Sequence, residues 1–192
     1  MNKTFAIVIV LCLATLLVIP AMADTFVPSI QQKISPTIES VVIQKNGEKE
    51  VLNKNEVIVV SLSEMDGKLS KSMQAAYQML ADKKPLKEVI KGIDEVLADV
   101  KNAPKEDDLI VRDLLEVTFR GSTAAIVNKG KGTLAIRFEL NLDPFKYVAV
   151  AFFNGKEWDM LPLDRVSLDE KGNLTVVMDH DGPIAILTEK TK

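Results

Sequence analysis

The chain has 192 residues, is 47% hydrophobic and 27% charged, and carries a formal net charge of −3. One cysteine, one histidine and four arginines exclude a disulfide framework, a histidine-based transition-metal cluster and a basic nucleic-acid-binding face as organising features. Aromatic residues are only 5% of the total, too sparse for an extended stacking surface.

At the start, Lys3 precedes an apolar run over 5–19, and Pro20-Ala21-Met22-Ala23 puts small residues at the two positions a signal peptidase reads. The pattern predicts a signal peptide over residues 1–23, cleaved after Ala23. The run is shorter than the ~20 apolar residues that span a bilayer, and no basic stop-transfer cluster follows it. Cys12 is expected to leave with the signal; Ile9-Val10-Leu11 ahead of it lacks the small residue that precedes a lipidated cysteine. What remains is 169 residues with a charge of −4, free of thiols and of any second long apolar segment. It is expected to be secreted or extracytoplasmic, at the cell surface or in the periplasm, and not held in the membrane after cleavage.

Residues 24–37, with Pro28 and Pro36, read as an extended arm. Strands are predicted over 38–44 and 48–52, joined by Asn46-Gly47, a pair that tolerates the positive φ of a type I′ turn. A further strand over 57–62 is apolar on both faces and is expected in a sheet interior. Leu69, Met73, Ala76, Tyr77 and Leu80 share one helical face. Pro85 suits the first turn of a second helix, in which Leu86, Val89, Ile90, Ile93, Val96, Leu97 and Val100 make the apolar stripe. The short link between them makes this a helical hairpin. The charged run 105–108 is read as a boundary, dividing an N-terminal unit over 24–104 from a second over 105–192.

Beyond residue 109 strands are predicted over 115–119, 133–140, 147–153, 157–161, 165–168, 173–178 and 184–188. Turn signals separate them: Asn128-Lys129-Gly130, Asp143-Pro144, Asn154-Gly155, Glu170-Lys171-Gly172 and Asp181-Gly182-Pro183. About seven short strands at this spacing predict an immunoglobulin-like antiparallel sandwich without the antibody-type cysteine pair. The fold class expected is α+β: short strands and a helical hairpin, then the sandwich. A two-residue Asn154-Gly155 turn would place Trp158 over Ala151 on one side of its hairpin. Val148, Val150 and Phe152 then lie on the other side, a second apolar face to be covered by the helical hairpin or by a partner protein.

The stretches 172–178 and 182–187 resemble the paired Gly-Asn-Leu-Thr-Val and Gly-Pro-Ile-Ala-Ile strands of uncharacterised exported proteins of Gram-positive bacteria. That resemblance, over the C-terminal half, implies an immunoglobulin-like fold and a surface setting, and brings no catalytic residues with it.

Candidate chemistry is thin. His180 lies between Asp179 and Asp181, but adjacent strand residues point to opposite faces and no second histidine can complete a transition-metal site, so a solvated turn is expected. Asp-x-Asp-Gly at 179–182 opens like a calcium loop, yet the glycine comes fourth and no bidentate glutamate follows at the twelfth position. Gly121-Ser122-Thr123 is not a nucleophile elbow, and Gly130-Lys131-Gly132 is too short for a phosphate loop. No catalytic residue, metal ligand or cofactor is assigned. The expectation is a non-catalytic module that binds another protein through Val148, Val150 and Phe152. A carbohydrate- or cell-wall-binding module with Trp158 as a platform stands second, and a hydrolase built on paired carboxylates third.

Overall fold

The protein is described by a computed structural model covering residues 37–45, 48–51, 53–62, 69–82, 84–101, 103–127, 130, 132–139 and 147–190. For 37–45, 48–51 and Lys54 only the backbone is described. The expected signal peptide, the arm and the Asn46-Gly47, Asn128-Lys129 and Asp143-Pro144 turns lie outside these residues.

Eleven strands are present among the described residues, and their alternation and pairing build two sheets. β1 (Thr37–Lys45), β2 (Glu48–Val51), β6 (Thr133–Glu139), β10 (Asn173–Met178) and β9 (Val166–Leu168) form a five-stranded sheet in the order β2-β1-β6-β10-β9. β3 (Val57–Ser61), β5 (Leu109–Phe119), β11 (Gly182–Glu189), β7 (Val148–Phe153), β8 (Trp158–Met160) and β4 (Ile90–Lys91) form a six-stranded sheet in the order β3-β5-β11-β7-β8-β4. All pairs are antiparallel except β4 with β8. With α1 (Lys71–Ala81), α2 (Leu86–Val89), α3 (Ile93–Ala98) and α4 (Gly121–Val127), the chain is α+β.

Two apolar clusters hold the layers. Alternate residues of β6 and β10 (Leu134, Ile136, Phe138, Leu174, Val176) meet Leu115, Val117, Val150, Phe152, Ile184 and Ile186 between the sheets. The opposite face of the six-stranded sheet supplies Leu109, Ala149, Ala151, Phe153, Trp158 and Leu187, which pack under Met73, Ala76 and Leu80 of α1 and Leu86, Ile90 and Ile93 beyond it. The central strands of that sheet are thus buried on both faces, which is why β11 reads Pro-Ile-Ala-Ile-Leu without polar alternation. β5 crosses between the clusters with a bulge. Its register against β11 shifts between Ile186 (opposite Asp113) and Leu187 (opposite Val111), leaving Arg112 as the extra residue.

Several expectations need correction. The boundary at 105–108 does not separate independent units: β1 hydrogen-bonds to β6, β3 to β5, and α1, α2 and α3 share one core with β5, β7, β8 and β11. β3 lies at a sheet edge rather than inside, paired with β5 alone in the strand order, and its three middle residues are accordingly only half-buried. α1 forms as predicted, started by Ser70, whose hydroxyl accepts from Met73 N–H at 3.0 Å and donates to the Glu116 carboxylate. The second helix is broken. A helical turn ends at Val89 where Ile90 becomes extended, Ile90-Lys91 pair with β8, and Gly92 at φ +80° leads into α3. The Asn154 turn spans four residues, not two: Asn154 N–H donates to Glu157 O, and Ala151 pairs with Met160 and Phe153 with Trp158. The shift is two residues, so each side chain keeps the face assigned to it.

Candidate functional site

Val150 and Phe152, expected on an interaction face, are 0% and 4% exposed and belong to the core between the sheets; Val148 is half-buried against the same core. The face expected to need a cover is therefore covered, by β6 and β10 rather than by the helical hairpin. α1, α2 and α3 lie on the opposite side, over Trp158. Its indole is 0% exposed, its Nε1–H donates to Ala76 O in α1 at 3.2 Å, and its ring meets Phe153 at a centroid separation of 5.4 Å. A ring buried under a helix cannot serve as a sugar platform.

The single histidine caps one end of the intersheet core. His180 Nδ1 bonds to the Asp179 carboxylate, and its ring stands edge-on to Phe152 with centroids 3.8 Å apart. The residue is exposed but not simply solvated, since Phe152 lies beneath it. Asp179 also accepts from Arg165 Nη1 at 2.8 Å, and Asp181 accepts from Phe119 N–H at 3.3 Å. Burial works to raise the Asp179 pKa, but the hydrogen bonds and charges of Arg165 and His180 together hold it below its ordinary value. The turn after β10 is thereby fastened to β5, to β7 and to the 3-10 turn Leu163–Arg165.

Two more carboxylates act as fasteners, and sequence reading missed both. Glu56 reaches α4: its carboxylate accepts from Thr123 N–H (2.8 Å), Thr123 Oγ1 (2.8 Å) and Ser122 Oγ (2.7 Å). These bonds, the Thr123 N–H foremost, lower its pKa. The signal was Ser-Thr at the start of an unrecognised short helix, but nothing local links it to Glu56. Asp169 holds the turn into β10, accepting from Lys171 and Asn173 N–H (both 2.9 Å), and pairs with Arg137. Its pKa is lowered chiefly by the Asn173 N–H. Two buried hydroxyls, of Tyr147 and Thr188, have no partner among the described residues; burial raises the Tyr147 pKa.

Of the sheet edges β2, β9, β3 and β4, the β9 edge is the one flanked by exposed large apolar side chains among the described residues. Leu163 and Leu168, each 37% exposed, are the large apolar side chains exposed among the described residues, and both flank this edge. Asp169 N–H donates to Asn173 O at 3.0 Å, so in the alternating antiparallel ladder Ser167 bonds to β10 while Val166 and Leu168 turn their backbone groups outward. Val166 N–H is taken by Leu163 O in the 3-10 turn. Among the described residues, Val166 C=O and both backbone groups of Leu168 remain on the open side. Among the described residues no helix is long and apolar enough to cross a membrane. No family model, curated protein or solved structure matches the chain.

Proposed function

We propose that this chain is a non-catalytic protein-interaction module, exported from a bacterial cell and working at the surface or in the extracytoplasmic space. The sandwich is read as immunoglobulin-like. Support comes from strand order: β1-β6-β10-β9 parallels the A-B-E-D sheet of that fold, and β7-β11-β5 parallels C-F-G, with β5 in the place of the last strand although it precedes the others. The observation that carries the interaction reading is the β9 edge. There, backbone groups left unpaired among the described residues coincide with two exposed leucines, whereas Val148, Val150 and Phe152 serve the core. An open strand edge flanked by apolar side chains is suited to binding another chain by strand addition.

A photo-crosslinking amino acid at Leu168, incorporated in cells that export the protein, tests this. A discrete protein adduct at Leu168, with none from the exposed Lys71 on α1, is the expected outcome, and the exported chain should begin at Asp24. Equal labelling from both positions, or none from either, would refute the reading.

A further inference from the structure

The β9 edge has a second property: its sequence is complementary to itself. We infer that two copies of the chain join here, their β9 strands antiparallel about a two-fold axis through Ser167, so that the two five-stranded sheets become one. The inference rests on the interaction reading above and names the partner as a second copy.

In this register Ser167 faces Ser167 of the second copy, Val166 faces Leu168, and Arg165 faces Asp169. The open backbone groups match. Leu168 N–H of each copy meets Val166 C=O of the other, the groups left facing outward. Val166 packs at the rim of the intersheet core, and strand alternation puts Leu168 on the same side. Leu168, at present 37% exposed, would extend that rim across the axis.

The charges also match. Arg165 and Asp169 are about one-third exposed and already bound to Asp179 and Arg137 respectively. Bringing Arg165 of one copy to Asp169 of the other joins these pairs into a run Asp179–Arg165–Asp169–Arg137 of strictly alternating sign, repeated by symmetry. A closed two-fold contact of this kind uses the same patch on both partners and occupies both β9 edges, with β2 at each outer end of the joined sheet. One mismatch is present: Asp164 would face Glu170 at the ends of the ladder, where both are exposed. The ladder is short, so association should depend on concentration.

The test is a disulfide at the axis. In a non-hydrogen-bonded antiparallel pair the facing Cα atoms are about 4.5 Å apart, inside the range a disulfide accepts. The full chain with Cys12→Ser carries no other thiol, so Ser167→Cys is unique. Under mild oxidation Ser167→Cys should form a disulfide-linked dimer, whereas Glu170→Cys in the exposed turn should stay largely monomeric. Adding Leu168→Lys should abolish the Ser167→Cys dimer while the far-ultraviolet circular dichroism and the Trp158 emission stay unchanged. Replacing Asp164 by Asn, which removes the one mismatch, should increase it. Equal dimer yields from Ser167→Cys and Glu170→Cys, or a yield indifferent to Leu168→Lys, would overturn the two-fold contact. In that event an adduct from Leu168 to a different protein would leave the interaction reading standing, whereas no adduct would end both.

Discussion

Replacing Trp158 should loosen the helical layer from the sheet, and the cost can be worked from its surroundings. The side chain is fully buried, packs on Phe153, and donates to a backbone carbonyl inside α1. Trp158→Ala removes the whole ring and should cost about 3–5 kcal/mol, the range for large-to-small changes in a packed core. Trp158→Phe keeps most of the contact. It forfeits the Nε1–H bond, worth about 0.5–1.5 kcal/mol, and leaves room where the second ring sat, for a total of roughly 2–3 kcal/mol. Urea unfolding followed by circular dichroism at 222 nm would measure both, with the slope of free energy against urea unchanged if the denatured state is unaffected. Before any substitution, Trp158 emission should be blue-shifted and poorly quenched by acrylamide. A red-shifted, readily quenched emission, or a Trp158→Phe cost below about 0.5 kcal/mol, would refute its burial beneath α1.

Two further outcomes follow from buried and fastened polar groups. Thr188→Val removes a hydroxyl that is buried without a partner while keeping the side-chain shape, so stability should stay level or rise by about 1 kcal/mol in the same urea assay; a loss larger than that would mean the hydroxyl is bonded. Acid should weaken the fold through Glu56, Asp169 and Asp179. Each binds protons less readily in the folded chain than its ordinary value implies (4.5 for Glu56, 3.8 for the two aspartates). The unfolded chain therefore takes up protons first as pH falls, so their stabilisation is complete above those values and disappears as pH drops through the folded ones. The urea midpoint should be flat in this respect near neutrality and fall below about pH 4.5, with Glu56→Gln making the fall shallower. An equally steep fall in that variant would remove Glu56 from the account.

How much of this was legible in the sequence depended on whether a pattern is local. The strand predicted over 133–140 and the apolar stripe of Leu69, Met73, Ala76, Tyr77 and Leu80 are local patterns, and β6 and α1 form there. The second helix misled because Leu86 to Val100 keeps a helical period across Gly92. Periodicity records which residues are buried, and here Ile90 and Ile93 are buried from a turn, a strand and a short helix rather than from one helix. Val148, Val150 and Phe152 were seen to be apolar on a face of their own, but which layer covers a face is decided by residues far along the chain. The β9 edge was predicted as a strand. Its openness follows from sheet order, which depends on pairings between distant segments, and no local signal carries it.

The position of β11 has a consequence for the order of events in folding. This strand is nearly the last in the chain, yet it lies inside the six-stranded sheet, between β5 and β7, and contributes to both cores. A chain emerging amino-terminus first, from a ribosome or through a translocation pore, cannot close either core until residues near Glu189 have appeared. Its partner β5 begins some eighty residues earlier and must wait with one long side unpaired. Neither core can thus close until β11 is available to join β5 and β7.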